Sequence, residues 1–227
     1  MNEFFDEFVR AAPRVADGLW TTVLATVLGA AAALAVAFAL GLPAGSPKRS
    51  VRAPARLAVE FLRGTSLYVQ LFWLFFALPV LGFRLEPLAC GVLALGLNFG
   101  AYGAEVVRGA VSAVPPTQSE AAVALGMGRW LRLRRVVLPQ AAVLMIPPFG
   151  NLLIQLLKAT PLLSLITVSD LTFQLDQLRS ATGDTATAYL TLLLMYFALA
   201  ALLSSGMNLL ESAAAARLGR RPEGGEA

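Results

Sequence analysis

EAAVALGMGRWLRLRRVVLPQA, residues 120–141, interrupts a chain otherwise dominated by long apolar runs. It joins small residues, a pair of glycines and four arginines to the apolar segment that follows. Read locally, Pro115-Pro116 stop the preceding helix, Ser119 caps a new one with Glu120 in its first turn, and Gly126-Met127-Gly128 end it. Its exposed residues are expected to be Ala121, Ala122 and Ala124, small side chains that let another protein approach the backbone. A second short helix is predicted over 129–137, with Trp130, Leu133 and Val137 on one side and Arg129, Arg132 and Arg135 on another. That division suits a segment lying at the lipid interface. Pro139 is expected to end it before the next apolar run. On these residues alone, a basic loop that only sets topology explains the segment as well as a docking loop does.

The setting is a membrane protein. Hydrophobic residues make up 57% of the chain and charged ones only 14%, and mean hydropathy is +0.70, far from the balance of a soluble domain. Eighteen basic and fourteen acidic residues give +4. No basic groove with interleaved aromatics accompanies that charge, so no nucleic-acid partner is expected. One cysteine, Cys90, and no histidine exclude an intrachain disulfide and the ordinary His/Cys metal and triad arrangements. There is no Gly-x-Ser-x-Gly elbow and no phosphate loop. The chain is expected to be a non-catalytic subunit without cofactor or metal; if it belongs to an energy-driven machine, another polypeptide hydrolyses the nucleotide.

A bilayer core needs about 20 apolar residues in a helix. Charge-poor windows fall at 19–44, 67–80, 87–104 and 187–210, the second gaining length from Phe61 and Leu62 across Arg63-Gly64-Thr65. A fifth stretch, 141–171, carries Pro147, Pro148, Lys158 and Pro161 and reads as one spanning helix followed by a broken or re-entrant segment. Residues 1–17 read as a separate amphipathic surface helix, with Phe4, Phe5, Phe8 and Val9 as an interfacial anchor, and not as a signal peptide. The expected organisation is an all-α domain of five transmembrane helices over 18–210, containing the loop 113–140, with a cytoplasmic tail over 211–227. Thirteen basic residues fall in the loops of one side and the tail, against Arg10, Arg14, Arg84 and Arg179 on the other. The excess of Lys and Arg places the N-terminus outside and the C-terminus inside.

Lys158 is the charged side chain expected within the membrane, where such groups are costly and mark a pathway or gate, or else pair with a carboxylate or helix-end carbonyls. Thr160 and the prolines around it point to irregular backbone lining a cavity. Asn98 and Gln155 are intramembrane amides that line a path or bond between helices. Gln70, with Tyr68, stands beside Arg63-Gly64-Thr65 and is a further candidate for the same cavity. Phe72, Trp73, Phe75 and Phe76 are too crowded to be more than lipid-facing or packed. Glu105 and Arg108, one turn apart, read as an ion pair. Gly91, Gly96, Gly100 and Gly103 predict close packing against another helix.

Glu120-Ala121-Ala122, three residues, Gly126, nine residues and then Val136-Val137-Leu138-Pro139 resemble, in sequence and spacing, the EAA signature of permease subunits of bacterial ABC importers. EFLRGTSLYVQLFWLFFALP (60–79), YGAEVVRGAVSAVPPTQSEAA (102–122) and LLKATPLLSLI (156–166) resemble segments of the polar amino-acid uptake branch, over residues 15–210 as a whole. Ser66, Thr117 and Pro161 depart from that pattern, which usually has proline, glycine and serine there. LPVLGFRLEPLACGVLALGLNFGAYGAEVVRGAV and PPFGNLLIQLLK are similar to the ectoine/hydroxyectoine members. The resemblance implies a type I importer permease fold and an ATPase-coupling loop made of Glu120, Ala121, Ala122, Gly126, Leu138 and Pro139. It also implies a cytoplasmic ATPase dimer that carries the ATP and Mg, a second permease subunit (copy or paralogue), and an extracytoplasmic solute-binding protein. Glu120 would fix the helix start, Ala122 and Gly126 would pack against the ATPase, and Gly126→Asp is expected to spare insertion but abolish uptake. The rivals are an ion-coupled secondary transporter, which needs internal repeats and midplane carboxylates not seen here, and a non-transporting scaffold. An intramembrane enzyme lacks a nucleophile and base.

Overall fold

The computed structural model describes residues 2–217, with side chains from residue 7 to 212. It is all-helical over that range: α1 Asn2–Ala44, α2 Arg49–Gly64, α3 Leu67–Phe72, α4 Pro87–Ala113, α5 Pro116–Ala124, α6 Arg129–Arg132, α7 Leu138–Ala159, α8 Leu171–Thr182 and α9 Thr185–Arg217. π and 3-10 turns at Trp73–Ala77 and Leu78–Leu81 extend α3, a π turn at Leu133–Val137 joins α6 to α7, and a 3-10 turn at Thr160–Ile166 follows α7. Residues 218–227, most of the expected tail, lie outside the described residues.

The direction of each crossing follows from which glycine meets which neighbour. A Cβ placed on Gly96 would lie 2.6 Å from Ala32 Cβ, one on Gly100 2.6 Å from Val36 Cβ, and one on Gly41 2.6 Å from the Ala104 carbonyl oxygen. Numbers rise together along both helices, so α1 and α4 run parallel. The chain between them must therefore return across the same thickness. It does so through the α3 segment, whose Leu74 carbonyl lies 3.6 Å from Cys90 Sγ while Arg63, at its foot, sits over the Tyr102 ring. A Cβ on Gly91 would meet Leu163 and one on Gly103 would meet Phe149, so α7 and its extension run antiparallel to α4. Gly150 faces Met207 and Thr160 meets Tyr196, so α9 runs antiparallel to α7. The described chain thus makes five alternating crossings, which puts its two ends on opposite sides. Four of them are long apolar helices, Glu7–Ala44, Pro87–Ala113, Arg129–Ile166 and Thr185–Ser212, and the other is the Leu67–Leu81 limb of a bent pair.

Two expectations change here. The second crossing does not run on through Arg63-Gly64-Thr65, because the chain bends by 97° between Arg49–Gly64 and Leu67–Leu81. Thr65 and Ser66 are extended, and Gln70 Nε2 clamps the corner by donating to the Leu62 carbonyl at 2.8 Å and to Thr65 Oγ1. Phe61 and Leu62 therefore belong to the separate amphipathic α2. Residues 1–17 are not set apart from the first crossing: from residue 2 they form its continuous N-terminal turns. Ala11 and Val15 are buried against Leu171, Leu175 and Leu178 of α8 and Ala188 of α9, while Phe8 packs beside them and Val9 is exposed. The side chains of Phe4 and Phe5 lie outside the described range. The glycine stripe of α4 packs closely against other helices, as expected, and it does so inside this chain, against α1, Phe149 and Leu163.

The outer faces match a lipid environment. Leu190, Leu193, Leu194, Phe197 and Leu202 of α9 are all more than half exposed, as apolar side chains on a spanning helix can be when the solvent is hydrocarbon.

Candidate translocation face and coupling loop

Asn151, Gln155 and Lys158 are exposed on α7 at i, i+4 and i+7, which places them on one face. The intervening Leu156 and Leu157 are buried in the bundle. A polar and cationic stripe on a spanning helix is too costly to face lipid, so this face meets either another protein surface or water. No ion pair or hydrogen bond holds Lys158 among the described residues, where the ion pairs are Arg10–Glu7, Arg108–Glu105 and Arg179–Asp176. Its place in the last turn of α7 sets the ammonium by the negative end of the helix dipole. Asn151 was missed by the sequence reading, although stepping one turn back from Gln155 finds it.

The other pathway candidates lie elsewhere. Thr160 is fully buried; its hydroxyl donates to the Leu157 carbonyl at 2.8 Å and lies 3.3 Å from Tyr196 Oη. It fastens the broken segment to α9 and does not line an open path. Asn98 is buried within α4, and Gln70 is the corner clamp described above. Arg108 Nε and Nη2 donate to Glu105 Oε2 at 3.0 and 2.7 Å, the ion pair that their spacing predicts. Pro161 is accommodated at the start of the 3-10 turn, where a missing N–H costs nothing.

A second polar site has no counterpart in the sequence reading. Asp170, in the connection between the fourth and fifth crossings, is fully buried. Its Oδ1 accepts the Phe173 N–H at 2.9 Å and caps α8, while Oδ2 is buried without a partner. The adjacent Leu171 N–H donates to Thr22 Oγ1 of α1, and Tyr196 Oη lies 3.2 Å from Thr172 Oγ1. Burial pushes the Asp170 carboxyl up to about 6. The folded state then holds a proton that the unfolded chain releases, so stability is fullest below the unfolded pKa near 4 and falls as pH rises through about 6. Asp170→Asn keeps the cap and removes the buried charge, and should raise stability at pH 7.5 by on the order of 2–3 kcal/mol. Melting in detergent from pH 4 to 8 checks this: the gain should vanish at the acid end, and a variant less stable at every pH would count against it.

The loop that opened the sequence reading forms α5, Pro116–Ala124, with Pro115 at the N-cap and Thr117 exposed in the first turn. Ser119 lies inside the helix and caps nothing, because the helix begins three residues earlier, on the proline pair. The C-terminus closes as a Schellman motif: Met127 N–H donates to the Ala122 carbonyl at 3.0 Å and Gly126 N–H to the Val123 carbonyl at 2.9 Å, with Gly126 at φ +72. Glu120, Ala121, Ala124 and Gly126 are exposed, but Ala122 is only 3% exposed. Ala122 faces inward, where α5 packs on the π turn at Leu133–Val137, so it is not free to contact a partner. Val123 and Leu125 are the exposed apolar residues there.

Pro139 does not end a helix. The π turn at Leu133–Val137, closed by Leu138 N–H donating to the Leu133 carbonyl, absorbs the hydrogen bond that proline cannot make. Pro139 becomes the opening of α7, and Leu138, half-buried, is its first residue. One helical rod therefore runs from Arg129 to Ala159, about 45 Å long. The α5 loop stands at one end and Lys158 at the other.

The fold is a helical membrane bundle in which the loop bearing exposed Glu120 and Ala121 is joined by one helical rod to a polar face on α7. Residues 37–215 match the family of binding-protein-dependent transport system inner membrane components. The chain belongs to that family of ABC transporter permeases, and it is a multi-pass protein of the inner membrane. It is 54% identical over 171 residues to a probable amino-acid ABC transporter permease of Sinorhizobium fredii, covering 73% of this chain and 72% of that one. It is 41% identical over 122 residues to the glutamine transport system permease of Escherichia coli, covering 53% and 56%. A second probable amino-acid permease of Sinorhizobium fredii is 40% identical over 123 residues, 54% of this chain and 53% of that one. A crystal structure of an amino acid ABC transporter with histidines superposes with a TM-score of 0.82 at 32% identity, covering 90% of this chain and 95% of that one.

Proposed function

We propose that this chain is the transmembrane subunit of an ATP-driven importer for a small polar solute, an amino acid or a related zwitterion, with ectoine and hydroxyectoine among the solutes to test. The observation that carries this reading is the rod from Arg129 to Ala159, which ties the exposed loop to the face bearing Asn151, Gln155 and Lys158. Movement imposed on the loop is delivered to that face. In this reading a cytoplasmic ATPase dimer binds ATP and Mg and receives α5. An extracytoplasmic binding protein delivers the solute, and a second permease subunit, a copy or a paralogue, covers the polar face of α7. In the same reading the N-terminus is outside and the C-terminus inside, which the concentration of arginines on the side of α5 supports. The amino-acid class is supported by the names of the relatives and by the chemistry of a free ammonium, which recognises a carboxylate.

The test is ATPase activity of the complex reconstituted from this chain, its ATPase and its binding protein, with single amino acids or ectoine. Stimulation by one loaded binding protein supports the reading and identifies the solute; a purified chain with which no ATPase associates refutes it. Lys158→Gln in the same complex is expected to lower stimulated uptake at least tenfold while leaving assembly unchanged. Wild-type uptake by that variant would remove Lys158 from the pathway.

A further inference from the structure

A cavity of about 340 Å³ lies where α1 ends, between the 41–46 turn, the last turns of α4, α5 and the start of the rod. Arg108, Arg129 and Arg132 line it together with Ser46 and Ser119, and the remaining wall is apolar, with Val51 and Leu133 in it. Arg108 is neutralised by Glu105. Arg129 and Arg132 have no ion pair among the described residues. Two more guanidiniums stand beside it: Arg52 Nη1 donates to the Ser46 carbonyl and Arg56 Nε to the Ala44 carbonyl, each at 3.3 Å. Three arginines thus line one cavity with one carboxylate paired to them, and two more hold the turn that forms its wall. Like charges lining one cavity repel, and a bound anion removes that cost; a phosphate, which guanidiniums grip in a bidentate fashion, is the matching ligand.

The surroundings decide what carries the phosphate. Trp130, beside Arg129, is 69% exposed, and Trp collects at the level of lipid headgroups. α2 exposes Val51, Leu57 and Phe61 next to Arg49 and Arg56, the arrangement of a helix lying on a membrane surface. Both the cavity and α2 sit at the end of the crossings where arginine is concentrated, which is the side facing the anionic cytoplasmic leaflet. We infer that this cavity binds the headgroup of an acidic phospholipid. Its phosphate would bridge Arg108 of α4 to Arg129 and Arg132 at the foot of the rod, so that lipid occupancy biases the position of the coupling loop. The inference rests on the fold and the sidedness and is independent of the solute transported.

The experiment is native mass spectrometry of the purified complex, titrated with phosphatidylglycerol and phosphatidylcholine of matched acyl chains. The expected result is a preference of at least tenfold for phosphatidylglycerol, lost in Arg129→Gln/Arg132→Gln and kept in Arg134→Gln/Arg135→Gln, which removes the same charge from exposed positions that do not line the cavity. Equal losses in both double variants, or retention in the first, would overturn the site. Displacement of phosphatidylglycerol by millimolar glycerol 3-phosphate would overturn the lipid assignment in favour of a soluble phosphate. If the cavity variant does not fold, Val51→Trp tests the same point by filling the cavity with every charge in place: it should abolish the preference, and undiminished preference would refute the proposal.

Discussion

Gly100→Leu will prevent this chain from accumulating as a folded membrane protein, while Gly109→Leu, nine residues further along the same helix, will not. A Cβ on Gly100 would lie 2.6 Å from Val36 Cβ, 2.7 Å from Val36 Cγ1 and 3.0 Å from the Ala33 carbonyl oxygen, whereas one on Gly109 meets nothing within 4 Å. Both replacements raise helix propensity equally, so any difference between them comes from packing. At Gly100 a leucine must force α1 and α4 apart along the parallel contact that organises the bundle. Overpacking costs about 1–3 kcal/mol even for modest additions, and a whole isobutyl group against the Val36 side chain and the Ala33 carbonyl should exceed that. Close helix approach through small residues is also the main source of association where apolar burial supplies little drive. Fluorescence-detected gel filtration with thermal melting reads the result. A monodisperse Gly100→Leu melting like the wild type would mean that α1 and α4 are not packed as described.

Gly126 gives the second large effect, and the structure sharpens its test. At φ +72 a leucine suffers backbone strain of about 1–2 kcal/mol, so a failed Gly126→Leu by itself says little about a partner. Asparagine tolerates this conformation and still adds a side chain. Within this chain nothing lies within 4 Å of the added Cβ. If α5 seats in the ATPase as proposed, Gly126→Asn should insert and melt like the wild type yet lower ATP-driven uptake at least tenfold, because the obstruction would arise only on docking. Uptake lost in Gly126→Leu but kept in Gly126→Asn would reassign the glycine to closing the Schellman turn alone. Gly126→Asp, anticipated from the sequence, mixes obstruction with a new negative charge and discriminates less well.

Several parts of the site were legible because they depend on local spacing. The Glu105–Arg108 pair, the glycine end of α5 and the exposed Lys158 follow from one-turn neighbours, a φ-permissive residue and the cost of a charge among apolar residues. Ser119 and Pro139 were misread for a common reason. Capping and breaking preferences are statistical, and the proline pair at 115–116 and the π turn at Leu133–Val137 supplied alternatives that no single residue signals. Ala122 was read outward because a nine-residue helix of small side chains carries no amphipathic mark. Asp170 escaped notice because its cap on Phe173 looks like an ordinary helix start, while its burial depends on how α1 and α9 close around that turn, which has no mark in the local sequence.

By itself the sequence determined the solvent, the apolar segments that cross it and the place of the exposed basic loop between them. These are set by hydrophobic length, by charge placement and by a linear motif, all of which act along the chain. Only the tertiary structure decided that the chain turns through 97° before its second crossing, that the glycine stripe packs inside this chain, that Thr160 and Gln70 fasten the bundle, and that loop and polar face share one rod. Those outcomes depend on which helices run parallel and how closely they approach. That is a property of packing in three dimensions, and no one-dimensional periodicity encodes it.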